Sequence, residues 1–115
     1  MIFTDSLKKN SDFQNVYRNG KSCANRYLVM YTLENGTRYN RLGISVSKKV
    51  GNSVIRHRIK RLVKESYRMH ETIFKQGFDL VIIARVSAKK MSYLETESAV
   101  LHLGNKLHVV LKQGQ

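Results

Sequence analysis

The chain has 115 residues, 21 of them Lys or Arg against eight Asp and Glu, for a formal net charge of +13. That length supports one domain with a real core and excludes two comfortable ones, and a 42% hydrophobic content excludes a disordered basic tail. No apolar run approaches the roughly 18 residues needed to cross a bilayer, and the positive excess points to an acidic partner, either nucleic acid or an anionic membrane.

Residues 1–10 are polar and read as a loose segment in which Lys8 and Lys9 add charge before the first helix. They lack the apolar run of a secretory signal, and the lone Cys23 cannot form an internal disulfide, which together fit a cytoplasmic protein. Ser11-Asp12-Phe13-Gln14 predicts a capping box opening a short helix that stops at Gly20, a natural C′ residue. Phe13, Val16 and Tyr17 share one face of it; Val16 reads as core, while Phe13 and Tyr17 could be core or half exposed.

Arg26 to Leu33 alternates as a strand with apolar residues on both faces, Tyr31 on one and Met30 on the other. Asn35-Gly36 is a turn signal, and Tyr39 to Ser47 follows as the second strand of a predicted hairpin. Leu42, Ile44 and Val46 would face the core. The alternate side, Arg41, Gly43, Ser45 and Ser47, is small and polar enough for a ribose to approach.

The stretch from Lys48 to Arg68 carries eight of the chain's cations and a single acid, Glu65. From Asn52, a good N-cap, it predicts an amphipathic helix. Ile55, Ile59, Leu62, Val63 and Ser66 fall within an arc of roughly 100°. Arg56, Arg58, Lys60, Arg61, Lys64 and Arg68 lie opposite. A merely solvated helix face mixes signs, whereas like charges along i,i+4 rows repel. A polyanion removes that cost, and the Arg content suits phosphate oxygens.

Phe78 to Val86 is the most apolar run and predicts a central strand, which makes the basic helix a βαβ crossover. Ser92-Tyr93-Leu94-Glu95 is a second capping box, opening a helix to about Lys112 with Leu94, Val100, Leu103, Leu107, Val110 and Leu111 as its core stripe. Gly104 is a mild weak point in that helix. The reading is a single α+β domain over residues 1–115.

The eight acids form no metal-binding cluster, and His57, His70, His102 and His108 lack metal spacing. No glycine-rich phosphate loop occurs, and nothing surrounds Cys23 to make it a nucleophile. The residues describe a binder, with no catalytic group and no metal site of its own.

Gly51-Asn52-Ser53-Val54-Ile55-Arg56-His57-Arg58-Ile59-Lys60-Arg61 closely resembles the GN-x-V-x-RNR-x-KR signature of the bacterial ribonuclease P protein family. The likeness extends to Leu42–Lys49, to Asp12–Tyr17, to the strand Leu28–Thr32 and to Ile82–Arg85, in the family's order over nearly the whole chain. His57 departs from it, standing where the family pattern has asparagine. The resemblance implies a single-layer mixed β-sheet packed by helices, similar to ribosomal protein S5 domain 2. It also implies an accessory subunit of an endoribonuclease, whose magnesium-dependent active site lies on a large RNA that removes the 5′ leader of precursor tRNA. By position, Lys48, Lys49, Asn52, Arg56, Arg58, Lys60, Arg61 and Lys64 would dock on that RNA, and Phe13, Tyr17 and Tyr31 would line a cleft for the leader. No obligate protein partner is expected. Unpaired bases stack on aromatic rings without demanding one sequence, so the residue chemistry agrees. A ribosomal or RNA-chaperone protein would share the charge and fold, and only the signature and the aromatic cleft separate the two. A nuclease acting alone is disfavoured by the missing carboxylate cluster.

Overall fold

The computed structural model describes residues 1–111. Five strands form one mixed sheet: β1 (Thr4–Ser6), β2 (Lys21–Ala24), β3 (Leu28–Glu34), β4 (Asn40–Ser45) and β5 (Phe78–Ala84), in the order β1-β4-β5-β3-β2. β1, β4 and β5 run parallel, while β3 pairs antiparallel with β5 and β2 antiparallel with β3. The helices are α1 (Asn10–Asn19), α2 (Ser53–His70) and α3 (Tyr93–Lys106). The fold is therefore α+β, with α2 carried in the crossover between the parallel neighbours β4 and β5.

β5 is central because its run FDLVIIA can be buried on both faces. Leu80, Ile82 and Ala84 face a core with Leu28, Met30 and Leu42, roofed by Ile59, Val63 and Tyr67 of α2 and by Val100 and Leu103 of α3. Val81 lies under Val16 of α1 on the other face, with Phe13, Tyr17, Tyr31 and Leu33 packed around them. Tyr67 is fully buried and its hydroxyl shares hydrogen bonds with Thr4 Oγ1 (2.7 Å) and Asn40 Nδ2 (3.0 Å).

Several elements differ from expectation. β3 and β4 do not form a hairpin, because β5 lies between them. The Asn35-Gly36 turn, with Gly36 at φ +73°, simply carries the chain across the end of β5. The first ten residues are not loose: β1 pairs with β4, Leu7 is buried, and the Glu71 carboxylate accepts from the amides of Ile2 (2.7 Å) and Phe3 (3.1 Å). α1 begins one residue before Ser11, and its N-cap, Lys9, makes no side-chain cap. Gly20 ends it in extended conformation, not left-handed. β2 escaped notice because KSCA has no hydrophobic alternation.

In α2 the Asn52 cap is present, its side chain accepting from the Ile55 amide at 3.0 Å. The second capping box is formed as well, but α3 ends at Lys106; the expected end at Lys112 lies outside the described residues. The chain turns back at His108, φ +59°, and Val110 bridges to Phe74. Val110 is thus buried without being helical, Leu94 and Leu111 are exposed, and Ala99 and Thr96 complete the α3 stripe instead. Gly104 is no weak point: a Cβ there would lie 2.6 Å from Val110 Cγ2. Among the described residues no helix is long and apolar enough to cross a membrane.

Candidate nucleic-acid interface

Two surfaces meet at the C-terminal end of β4, where Ile44 borders both. The first is the solvent face of α2. Its apolar stripe buries Ile59, Val63, Ser66 and Tyr67, which rolls the basic residues outward. His57, Lys60, Arg61 and Lys64 line one wall of a groove of about 540 Å³ whose other wall is β1. Nearer the helix start, His57, Arg58 and Arg61 gather with Ser53 and Val54, and Val54 is 75% exposed.

The cations are not equivalent. Arg58 donates from Nη2 to the Met91 carbonyl (3.0 Å), which holds its guanidinium beside the 3-10 segment Val86–Lys90. Lys89 and Lys90 therefore extend the cationic rim, a juxtaposition that a helical wheel cannot reveal. Arg56 is half-buried, with Nε enclosed and unpaired among the described residues. Asn52 spends its side-chain oxygen on the helix cap, leaving only its amide NH₂ for another partner. Lys48 and Lys49 are exposed in the turn after β4. Arg68, by contrast, is held bidentately by Glu65 (2.6 and 3.0 Å) and contributes little free charge.

The second surface lies between α1 and the sheet. Tyr17 and Tyr31 pack edge to face with centroids 5.0 Å apart, and Phe13 tilts against Tyr17 at 6.3 Å. All three are half-buried, so each combines core contact with an accessible part. Phe13 sits over Gly43, which means that the small alternate face of β4 receives a protein ring there. Burial pushes the Tyr17 phenol up; the Ser45 hydrogen bond pulls the other way, and Tyr31 adds a smaller push upward. The phenol stays neutral and brings no negative charge toward a polyanion.

A shallow groove of about 310 Å³ runs beside these rings, lined by Phe13, Tyr17, Ser45, Lys8, Asn10 and Lys60. Lys60 thus borders both surfaces. Sequence reasoning grouped it with the helix face alone, and it noted Lys8 only as nearby charge. α1 is held on the sheet by Arg41, which grips Asp79 bidentately (2.8 and 2.6 Å) and reaches Asp12 at 3.2 Å. Arg41 is therefore a structural clamp and not part of a ribose-facing surface.

A mixed sheet with a helix-borne array of unpaired cations beside a half-exposed aromatic cluster defines an RNA-binding α+β protein. The profile of the family described as Ribonuclease P matches residues 2–108. Similar proteins include the ribonuclease P protein component of Lachnoclostridium phytofermentans, 54% identical over 97% of this chain and 96% of the relative. That of Alkaliphilus metalliredigens is 52% identical over 96% and 99%. The Staphylococcus aureus RNase P protein structure superposes with a TM-score of 0.85 at 42% identity, covering 91% of this chain and 96% of that one. That from Thermotoga maritima gives 0.79 at 31% identity, covering 94% and 99%. The chain belongs to the ribonuclease P protein family.

Proposed function

We propose that the α2 face docks this protein on the RNA subunit of ribonuclease P, and that the aromatic cluster between α1 and the sheet binds the 5′ leader of precursor tRNA. The observation that carries the reading is the adjacency of two chemically different surfaces: unpaired cations suited to a folded RNA's phosphates, and half-buried rings suited to unpaired bases. Lys48, Lys49, Asn52, Arg56, Arg58, Lys60, Arg61 and Lys64 serve the first role, with Lys60 bordering both surfaces, and Phe13, Tyr17 and Tyr31 the second. The protein acts as the accessory subunit of the endoribonuclease in the cytoplasm. Magnesium is assigned to the RNA subunit; among the described residues no three His, Cys, Asp or Glu side chains converge as ligands. The protein's part is to bind and orient the strand that is cut.

Reconstitution with the RNA subunit tests this. Tyr17→Ala and Tyr31→Ala are expected to weaken binding of precursor tRNA by roughly tenfold each, about 1–3 kcal/mol for a lost base stack, with mature tRNA unaffected. Equal losses for both RNAs would remove the leader from the cleft and favour a ribosomal or chaperone-like binder.

A further inference from the structure

At the sheet end where β5 begins, remote from the start of α2, Lys21, Lys75, Lys106 and His108 rim a pocket of about 470 Å³ that Thr32 and Leu33 also line. Three separate segments supply these groups, and each is held by its backbone. Lys21 pairs with Thr32 in the β2–β3 ladder. Lys75 donates its amide to the Val109 carbonyl (2.7 Å), and its own carbonyl accepts from Asn40 Nδ2 (2.9 Å). Lys106 closes α3, and His108 turns the chain back in a left-handed conformation that few non-glycine residues adopt. The close approach of Gly104 to Val110 is what allows that return.

The only acid lining the pocket, Glu34, makes no ion pair with any of these cations among the described residues. A lysine at a helix C-terminus is favoured by the helix dipole, which accounts for Lys106 but not for Lys21 or Lys75. Three like charges drawn together with no counter-ion among the described residues are costly unless an anion shares the pocket.

The position of the pocket identifies that anion. Leu33 packs in the same cluster as Phe13, Tyr17 and Tyr31. Leu33 lies two residues beyond Tyr31 on the same face of β3, and Asn19, at the pocket edge, two residues beyond Tyr17 on α1, while Thr32 turns to the α3 side of the sheet. A strand lying over the rings would pass between Lys60 at one end and the lysine pocket at the other. We infer that Lys21, Lys75 and Lys106 form a second phosphate-binding site that receives the upstream part of the precursor tRNA leader, after it has crossed the aromatic cluster. This rests on the leader reading proposed above. Lys60, next to the docking face, marks the end of the track nearest the cleavage site, and the lysine pocket the end furthest from it.

The test is binding of precursor tRNAs with leaders of about two, five and ten nucleotides to the reconstituted holoenzyme. The triple variant Lys21→Ala, Lys75→Ala, Lys106→Ala removes only exposed side chains, and circular dichroism verifies its fold. The longest leader is expected to lose about fivefold or more in affinity and about two units of salt slope, as three single-strand phosphate contacts require. The shortest leader should be unchanged. An equal loss at all lengths, or no loss at any, would overturn the site. Tyr31→Ala in the same series separates the two readings. If it weakens precursor binding while the triple variant leaves length dependence intact, only the pocket fails. If wild-type affinity ignores both leader length and Tyr31→Ala, the cleft reading fails and the pocket with it.

Discussion

A Cβ at position 43 would lie 2.6 Å from Phe13 Cζ and 3.2 Å from a Leu7 methyl, so the ring of Phe13 occupies the space that any other residue would fill. Phe13 in turn packs on Tyr17, and Tyr17 on Tyr31, which makes the placement of the whole aromatic cluster depend on one missing side chain. Gly43→Ala is expected to cost about 1–3 kcal/mol of stability, as overpacking does, and to displace Phe13 toward solvent. Precursor tRNA binding should weaken more than mature tRNA binding. A variant with lowered Tm and an unchanged ratio of the two affinities would show that the ring's position is irrelevant to the RNA. That Gly43 was small was plain from the sequence; that its neighbour would be a ring of α1 was not, since no local pattern brings residues 13 and 43 together.

At the scale of elements, the N-terminal strand hangs on Glu71. Burial pushes that carboxyl up, but the amides of Ile2 and Phe3, the Thr4 hydroxyl and the N-terminal charge outweigh it and hold the group below the ordinary glutamate range. A depressed folded-state value means that the contribution is complete above about pH 4.3 and is lost as pH falls below it through the folded value. Glu71→Gln is expected to lower stability at neutral pH by about 1–2 kcal/mol and to abolish that acid-range dependence, with amide exchange fastest at Ile2 and Phe3. Unchanged exchange at those two amides would detach β1 from this anchor. The legibility of the elements follows from how local their causes are. α2 and the start of α3 were readable because a cap and a periodic stripe are contained in a few turns. The false hairpin and the anchored N-terminus depend on distant partners, as Ile2 and Glu71 are at a separation of 69, whereas β2 has its partner β3 close by and was hidden by its own lack of alternation. The same holds for the candidate site. The basic face was legible residue by residue, whereas the dual position of Lys60 and the nearness of Lys90 to Arg58 required the fold.

Over the whole molecule, Arg41 and Arg68 are the only Lys or Arg side chains in ion pairs among the described residues, against a net charge of +13. Such an excess repels itself most strongly in the compact state. Raising sodium chloride from about 20 to 300 mM is expected to raise Tm by about 5 °C, and millimolar pyrophosphate should raise it further at matched ionic strength by binding the folded form. A Tm indifferent to salt would mean that the charges are already far enough apart not to matter.

The central position of β5 sets the order in which the chain can become a protein. Every other strand is complete by Ser45, yet β3 and β4 have no contact surface for each other until Phe78–Ala84 is inserted between them. During synthesis the basic helix therefore leaves the ribosome before the strand that roofs its apolar side exists. For that interval the nascent chain presents a strongly cationic helix with Ile59, Val63 and Tyr67 uncovered. Folding then closes in one late step that joins distant segments, the kind of step that is slow because its loop entropy is lost before its contacts are made.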